Sequence, residues 1–123
     1  MVQITEDYVS FEIAKLLKEK GFNKDAYTMS MYDENGEVKD VLLLKEGEEP
    51  VLRPTLQMAM KWLREVHKIV PIILAGGDSY WFRIDKANED NWKNTIYIED
   101  EKLFPTYEEA CEASIKYCLE NLI

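Results

Sequence analysis

The chain has 123 residues, with 15 Lys and Arg against 24 Asp and Glu, one His and two Cys, for a formal net charge of −9. That length suits one domain, residues 1–123, and a hydrophobic share of 46% excludes a disordered or low-complexity chain. The acidity argues against a general nucleic-acid coat or a membrane-surface protein, both of which rely on excess cationic charge.

In chain order, Ser10 is placed to cap a first helix whose apolar stripe is Phe11, Ile13, Ala14, Leu16 and Leu17. Gly21 follows as a left-handed residue beyond its end, with Phe22 placed to fold back on Leu17. The preceding residues 4–9 either extend this helix or lie across the core. Alternation of period two then sets Tyr27, Met29 and Met31 on one strand face, and Thr28, Ser30 and Tyr32 on the other. Asn35-Gly36 reads as a two-residue hairpin turn, because both positions tolerate positive φ. The return strand runs from Val38 to Leu44 and ends in an acidic loop at Pro50.

Pro54-Thr55 opens a second helix, with Leu56, Ala59, Met60 and Leu63 facing the core and Val66 and His67 continuing that side. Ile69 to Ala75 reads as a short buried strand in which Pro71 marks an edge or a bulge. A turn over Gly76–Ser79 leads to a strand from Tyr80 to Asp85, a polar loop from Lys86 to Asn91, and a strand from Asn94 to Glu99. Thr106 and Glu109 form a capping-box pattern for a last helix reaching Leu122, with Ala110, Cys111, Ile115, Cys118 and Leu119 inward. The expected fold is a two-layer α+β domain in the order α-ββ-α-βββ-α. Its three helices would cover one mostly antiparallel sheet of about five strands.

Charge is segregated along the chain. Residues 1–24 are neutral, 25–50 carry −6, 51–86 carry +3 and 87–123 carry −6. On the second helix Gln57, Lys61, Arg64 and Lys68 share the face opposite the apolar stripe, flanked by Met58 and Trp62. Gln57, Lys61, Trp62, Arg64 and Lys68 therefore form a candidate basic-aromatic patch for an anionic partner or an acidic surface of another copy. The alternative is an ordinary solvated helix face, with Trp62 half-buried against the sheet edge and the cations favoured by the helix C-terminal half. Asp33, Glu34, Glu37, Asp40, Glu46, Glu48 and Glu49 form a candidate acidic patch. It either mimics nucleic-acid phosphates or supplies solubility.

Most chemistries lack a signature. Cys111 and Cys118 lie seven residues apart, a rise of about 10.5 Å along a helix. A disulfide needs Cα atoms within about 7 Å, so the two thiols cannot pair and are expected as small buried apolar groups in a reducing compartment. With one His and two Cys no structural zinc is expected, nor any cofactor. Asp33-Glu34-Asn35-Gly36 lacks the alternate-position ligands of a calcium loop, and Gly76-Gly77-Asp78-Ser79 lacks the Lys of a phosphate loop. His67 is the one histidine around which a catalytic or ligand pocket could form, and a rim position at the helix end suits it as well. Trp81 and Trp92 either line a surface or are covered.

The stretches Tyr8 to Phe22, Pro54 to His67 and Tyr107 to Ile123 resemble a group of small acidic, uncharacterised proteins carried by phages, prophages and chromosomes of gut Bacteroidales. The resemblance implies a mobile-element setting and no particular active residue. No run approaches the ~20 apolar residues of a membrane span, and no charged-then-apolar leader opens the chain, so a cytoplasmic location is expected. The expected function is non-enzymatic protein–protein contact, with a homodimer as one form of it. The alternatives are an acidic nucleic-acid mimic, or a small ligand-binding module or enzyme with a pocket near His67.

Overall fold

Each long helix begins where a hydroxyl side chain closes its first turn. The computed structural model describes residues 3–86, 94–96 and 102–123. Helix α1 (Phe11–Glu19) is capped by Ser10, whose Oγ accepts from Ile13 N at 3.3 Å. Gly21 ends it at φ +94° and starts a four-residue helix, α2 (Phe22–Asp25). Thr55 Oγ1 accepts from Met58 N at 3.1 Å to open α3 (Leu56–His67), and Thr106 Oγ1 accepts from Glu109 N at 3.1 Å to open α4 (Tyr107–Asn121). Lys68 closes α3 in the left-handed region, at φ +57°.

The fold is α+β, but the strands make two sheets rather than one. The first runs β2-β1-β3, from β1 (Ser30–Tyr32), β2 (Val38–Asp40) and β3 (Val51–Leu52), with both pairings antiparallel. The second runs β4-β5-β6, also antiparallel, from β4 (Ile69–Gly76), β5 (Ser79–Lys86) and β6 (Asn94–Ile96). The single five-stranded sheet and the count of three helices are therefore corrected, since α2 and β3 went unread. Both are too short to show a period, and their partners are distant in sequence. Lys86, read as the start of the polar loop, closes β5; residues 87–91 of that loop, Trp92 and the end of the third strand of that meander lie outside the described residues.

Other local readings change with the geometry. The β1 strand starts at Ser30, so Met31 is buried while Tyr27 and Met29 are exposed. The return strand stops at Asp40, whose carboxylate accepts from Leu42 N at 2.8 Å and caps a 3-10 turn over Val41–Leu43. The first hairpin is also longer than two residues. Gly36 N donates to Asp33 O at 3.0 Å, Asp33 N donates to Glu37 O at 2.8 Å, and of the Asn35-Gly36 pair only Gly36 has positive φ, +81°. A turn followed by a left-handed glycine fits a bulged loop. Residues 4–9 do not extend α1, and of them only Val9 is buried in the core: Val9 N donates to Pro54 O at 3.0 Å and Leu56 N to Asp7 O at 2.9 Å, pinning residues 7–9 beside the start of α3.

The second hairpin turns on Gly77-Asp78, with Gly77 at φ +61°, as a type II′ turn requires. A two-residue loop closes on a hydrogen-bonded pair, here Gly76 and Ser79, and alternation from there turns the backbone of Ala75, Ile73, Pro71 and Ile69 away from β5. The mutual 2.8 Å bonds between Tyr80 and Phe104 on the far side of β5 have the same parity. Pro71 therefore presents its missing N–H to the side of β4 away from β5, where no strand pairs among the described residues, an edge position with unbroken register and no bulge.

One apolar cluster joins these parts: Ile13 and Leu17 from α1, Phe22 from α2, Leu56, Ala59 and Leu63 from α3, Ile69 and Ile84 from the second sheet, Cys111, Ile115, Cys118 and Leu119 from α4. The inward set read for α4 is buried throughout, together with Ser114, whose hydroxyl donates to Cys111 O at 2.6 Å. Val66 departs from expectation. It is 45% exposed, because α3 ends one residue later and the chain turns away.

Gly36→Ala tests the first hairpin. A Cβ there would sit 2.8 Å from Phe11 Cδ2, on a residue held at positive φ. The substitution is expected to cost at least about 1–2 kcal/mol, the left-handed penalty for an L residue, read as a lower denaturant midpoint with an unchanged slope.

Candidate functional site

The basic face of α3 forms, without its aromatic. Gln57, Lys61 and Arg64 are exposed along one side of the helix, and Lys68 is exposed just past its end. Arg64 Nε lies 3.9 Å from Glu65 Oε1, and Lys68 Nζ donates to Glu65 O at 3.0 Å. Trp62 is not part of this surface: it is 5% exposed and belongs to the core. At about 100° per residue it stands about 60° from Ala59, inside the buried arc, and about 100° from Lys61. Its indole packs edge-to-face on Phe22 at 5.5 Å, and its Nε1 donates to Asp25 Oδ2 at 3.0 Å. A buried indole N–H requires such a partner, and α2 supplies it.

His67 lies against the same tryptophan, with ring centroids 4.6 Å apart and nearly perpendicular planes. Its Nε2 is buried and has no hydrogen-bond partner among the described residues. Burial lowers its pKa below the ordinary 6.5; Asp25 opposes the shift and Lys86 adds to it. The histidine is thus held neutral between α3, α2 and β5.

The acidic residues divide into two kinds. Asp33 works inside the hairpin, its Oδ1 accepting from Asn35 N at 2.8 Å and Glu37 N at 2.9 Å. The Glu37 amide, with Asn35 and Lys39, holds its pKa below the usual carboxylate range. Asp40 caps the 3-10 turn, and Glu49 lies 3.8 Å from Lys18 Nζ. Glu34, Glu37, Glu46 and Glu48 are exposed, and their carboxylates make no hydrogen bond or ion pair among the described residues.

What the residue pattern missed is apolar. Tyr27 is 62% exposed, Met29 70%, Val38 53%, Leu42 80% and Leu43 67%. Val41 N donates to Met29 O at 3.1 Å, which sets Met29 beside the turn carrying Leu42 and Leu43. The available signal was Asp40 followed by Val41-Leu42-Leu43-Leu44, a helix-cap residue before an unbroken apolar run that no half-buried strand could hide. These exposed apolar side chains all fall within the most acidic described stretch. Trp81, 37% exposed, is a smaller case, because its ring lies over Gly76, where a Cβ would meet Trp81 Cη2 at 2.7 Å.

Other chemistries find little footing. A cleft of about 530 Å³ opens between the start of α1, residues 102–105 and α4; His67 is not among its lining residues. Two of its carboxylates are already engaged: Lys116 Nζ meets Glu12 Oε1 at 2.9 Å, and Glu112 Oε1 accepts from Ser10 N at 2.7 Å. Both cysteines are free and buried, and burial pushes their thiols up to about 11 for Cys111 and about 12 for Cys118, far from thiolate reactivity. Among the described residues no group of three His, Cys, Asp or Glu is placed to hold a metal ion. No helix among them is long and apolar enough to cross a membrane.

Protonating His67 charges a group that the folded state keeps neutral. Its folded pKa is depressed, so the unfolded chain binds the proton first as pH falls below about 6.5. Its contribution to stability is therefore full above that pH, and is lost progressively down to the folded-state pKa. His67→Gln is expected to flatten this part of the pH–stability curve, measured as the difference between the two proteins in denaturant unfolding from pH 7.5 to 5.5. An unchanged slope would refute the assignment. Compared with known protein families, curated proteins and solved structures, the chain matches none.

Proposed function

We propose that this chain is a non-enzymatic accessory protein that works by protein–protein contact in the cytoplasm, in the mobile-element setting its sequence resemblance implies. Residues 27–49 form the contact surface. The observation that carries this reading is the exposure of Leu42 and Leu43 beside Met29, amid carboxylates that make no hydrogen bond or ion pair among the described residues. Exposing several large aliphatic side chains together is costly in water, and a contiguous patch with a polar rim is the usual form of a protein-binding surface.

The acidic-mimic alternative has less to draw on. Asp33 and Asp40 are committed to turns, and the remaining carboxylates are interrupted by apolar groups that no phosphate row would present. A pocket at His67 likewise has little support, since the imidazole packs against Trp62.

The test uses Leu42→Ser/Leu43→Ser. Both side chains are exposed, so stability should move by no more than about 0.5 kcal/mol. Partner binding should weaken by about tenfold or more, as expected for loss of an apolar centre. Cross-linking through Lys39 and Lys45, which flank the patch, should place partners there in the wild type and not in the variant. A variant that keeps its partner, or cross-links that fall elsewhere, would overturn the reading.

A further inference from the structure

Resting on that contact surface, we infer that its occupant is the basic α3 face of a second copy of this chain. Three observations favour this occupant. The first is charge: the stretch 25–50 carries −6, and the α3 face presents Lys61, Arg64 and Lys68. The second is that these cations are not used by the acids of 33–49 within one molecule; among the described residues their one carboxylate neighbour is Glu65. The third is shape of chemistry. Lys and Arg side chains are apolar stems with charged tips, so a face built from them offers a bed for Leu42 and Leu43 and cations for the surrounding carboxylates. An aromatic on that face would have pointed to other ligands, but Trp62 is buried.

Net charge sets the conditions under which the contact is visible. Two copies at −9 repel over long distances in dilute buffer. At about 0.1 M salt the screening length is about 10 Å, which damps the repulsion of the whole molecules more than pairs in contact. Association should therefore be strongest at intermediate ionic strength and weaken toward about 1 M salt, where screening reaches about 3 Å.

The decisive experiment exchanges the charges. One variant carries Lys61→Glu, Arg64→Glu and Lys68→Glu; the other carries Glu37→Lys, Glu46→Lys and Glu48→Lys. All six positions are exposed, so both chains should fold. Wild type should self-associate in sedimentation velocity at about 0.1 M salt, whereas each variant alone should do so about tenfold or more weakly, because the first variant sets two acidic surfaces against each other and the second removes the net negative charge of its 25–50 stretch. Mixed one to one, the variants should associate with each other, since each still carries the native surface that the other has lost. Hetero-association also shows that both are folded.

A wild type that stays monomeric to millimolar concentration would overturn the inference, as would variants that self-associate like wild type or fail to associate when mixed. These outcomes are separate from failure of the contact surface itself. In that case Leu42→Ser/Leu43→Ser would leave every partner bound, whichever protein it is.

Discussion

The packing of α1, α3 and α4 around one apolar cluster carries everything else, because neither sheet is large enough to persist alone. Strands of two or three residues make up the whole first sheet, and the second is a long hairpin with a short third strand. Sheets of this size need a covered face. The second sheet obtains one from Ile69 and Ile84, both turned onto α4 and its neighbours; the first from Met31 and Leu52. Asp25 adds a polar tie to this arrangement. By accepting the indole proton of Trp62 it joins the segment that leads into β1 to the middle of α3. The acidic stretch 25–50 is thus anchored at its start by one of its own acids.

Sequence reasoning reached the parts of the fold that are local. Ser10, Thr55 and Thr106 each close a helical turn within three residues, so their role is readable wherever they precede an apolar stripe. Gly21 announced the end of α1 in the same way. Pro71 announced an edge or a bulge, because a residue without a donor has few other places in a sheet, and the unbroken β4–β5 register selects the edge. What could not be read depended on distant partners. The division into two sheets follows from Val51 and Leu52 pairing with β1 across nearly twenty intervening residues. Trp62 looked like a flank of the basic face until α2, too short for any periodicity, brought Asp25 to it.

The candidate site shows the same division. The α3 cations could be placed from helical spacing alone, and they lie where that spacing puts them. The acidic stretch was visible as charge, but charge does not distinguish Asp33 and Asp40, which hold turns, from Glu46 and Glu48, which hold nothing. The apolar centre between them depended on where β2 stops. Had the strand continued to Leu44, alternate residues would have turned inward. The Asp40 cap bends the chain into a 3-10 turn, and Leu42 and Leu43 are left facing water.

Pro71 has a consequence beyond the folded state. The run Ile69-Val70-Pro71-Ile72-Ile73-Leu74 is uncharged and rich in β-branched residues, the composition of segments that stack into cross-β fibrils when they come free. A proline in its middle breaks the ladder that such stacking needs, in a nascent or transiently opened chain as much as in the native one. Because its missing donor points away from β5, to a side where no strand pairs among the described residues, the native sheet gives up no internal bond for this protection.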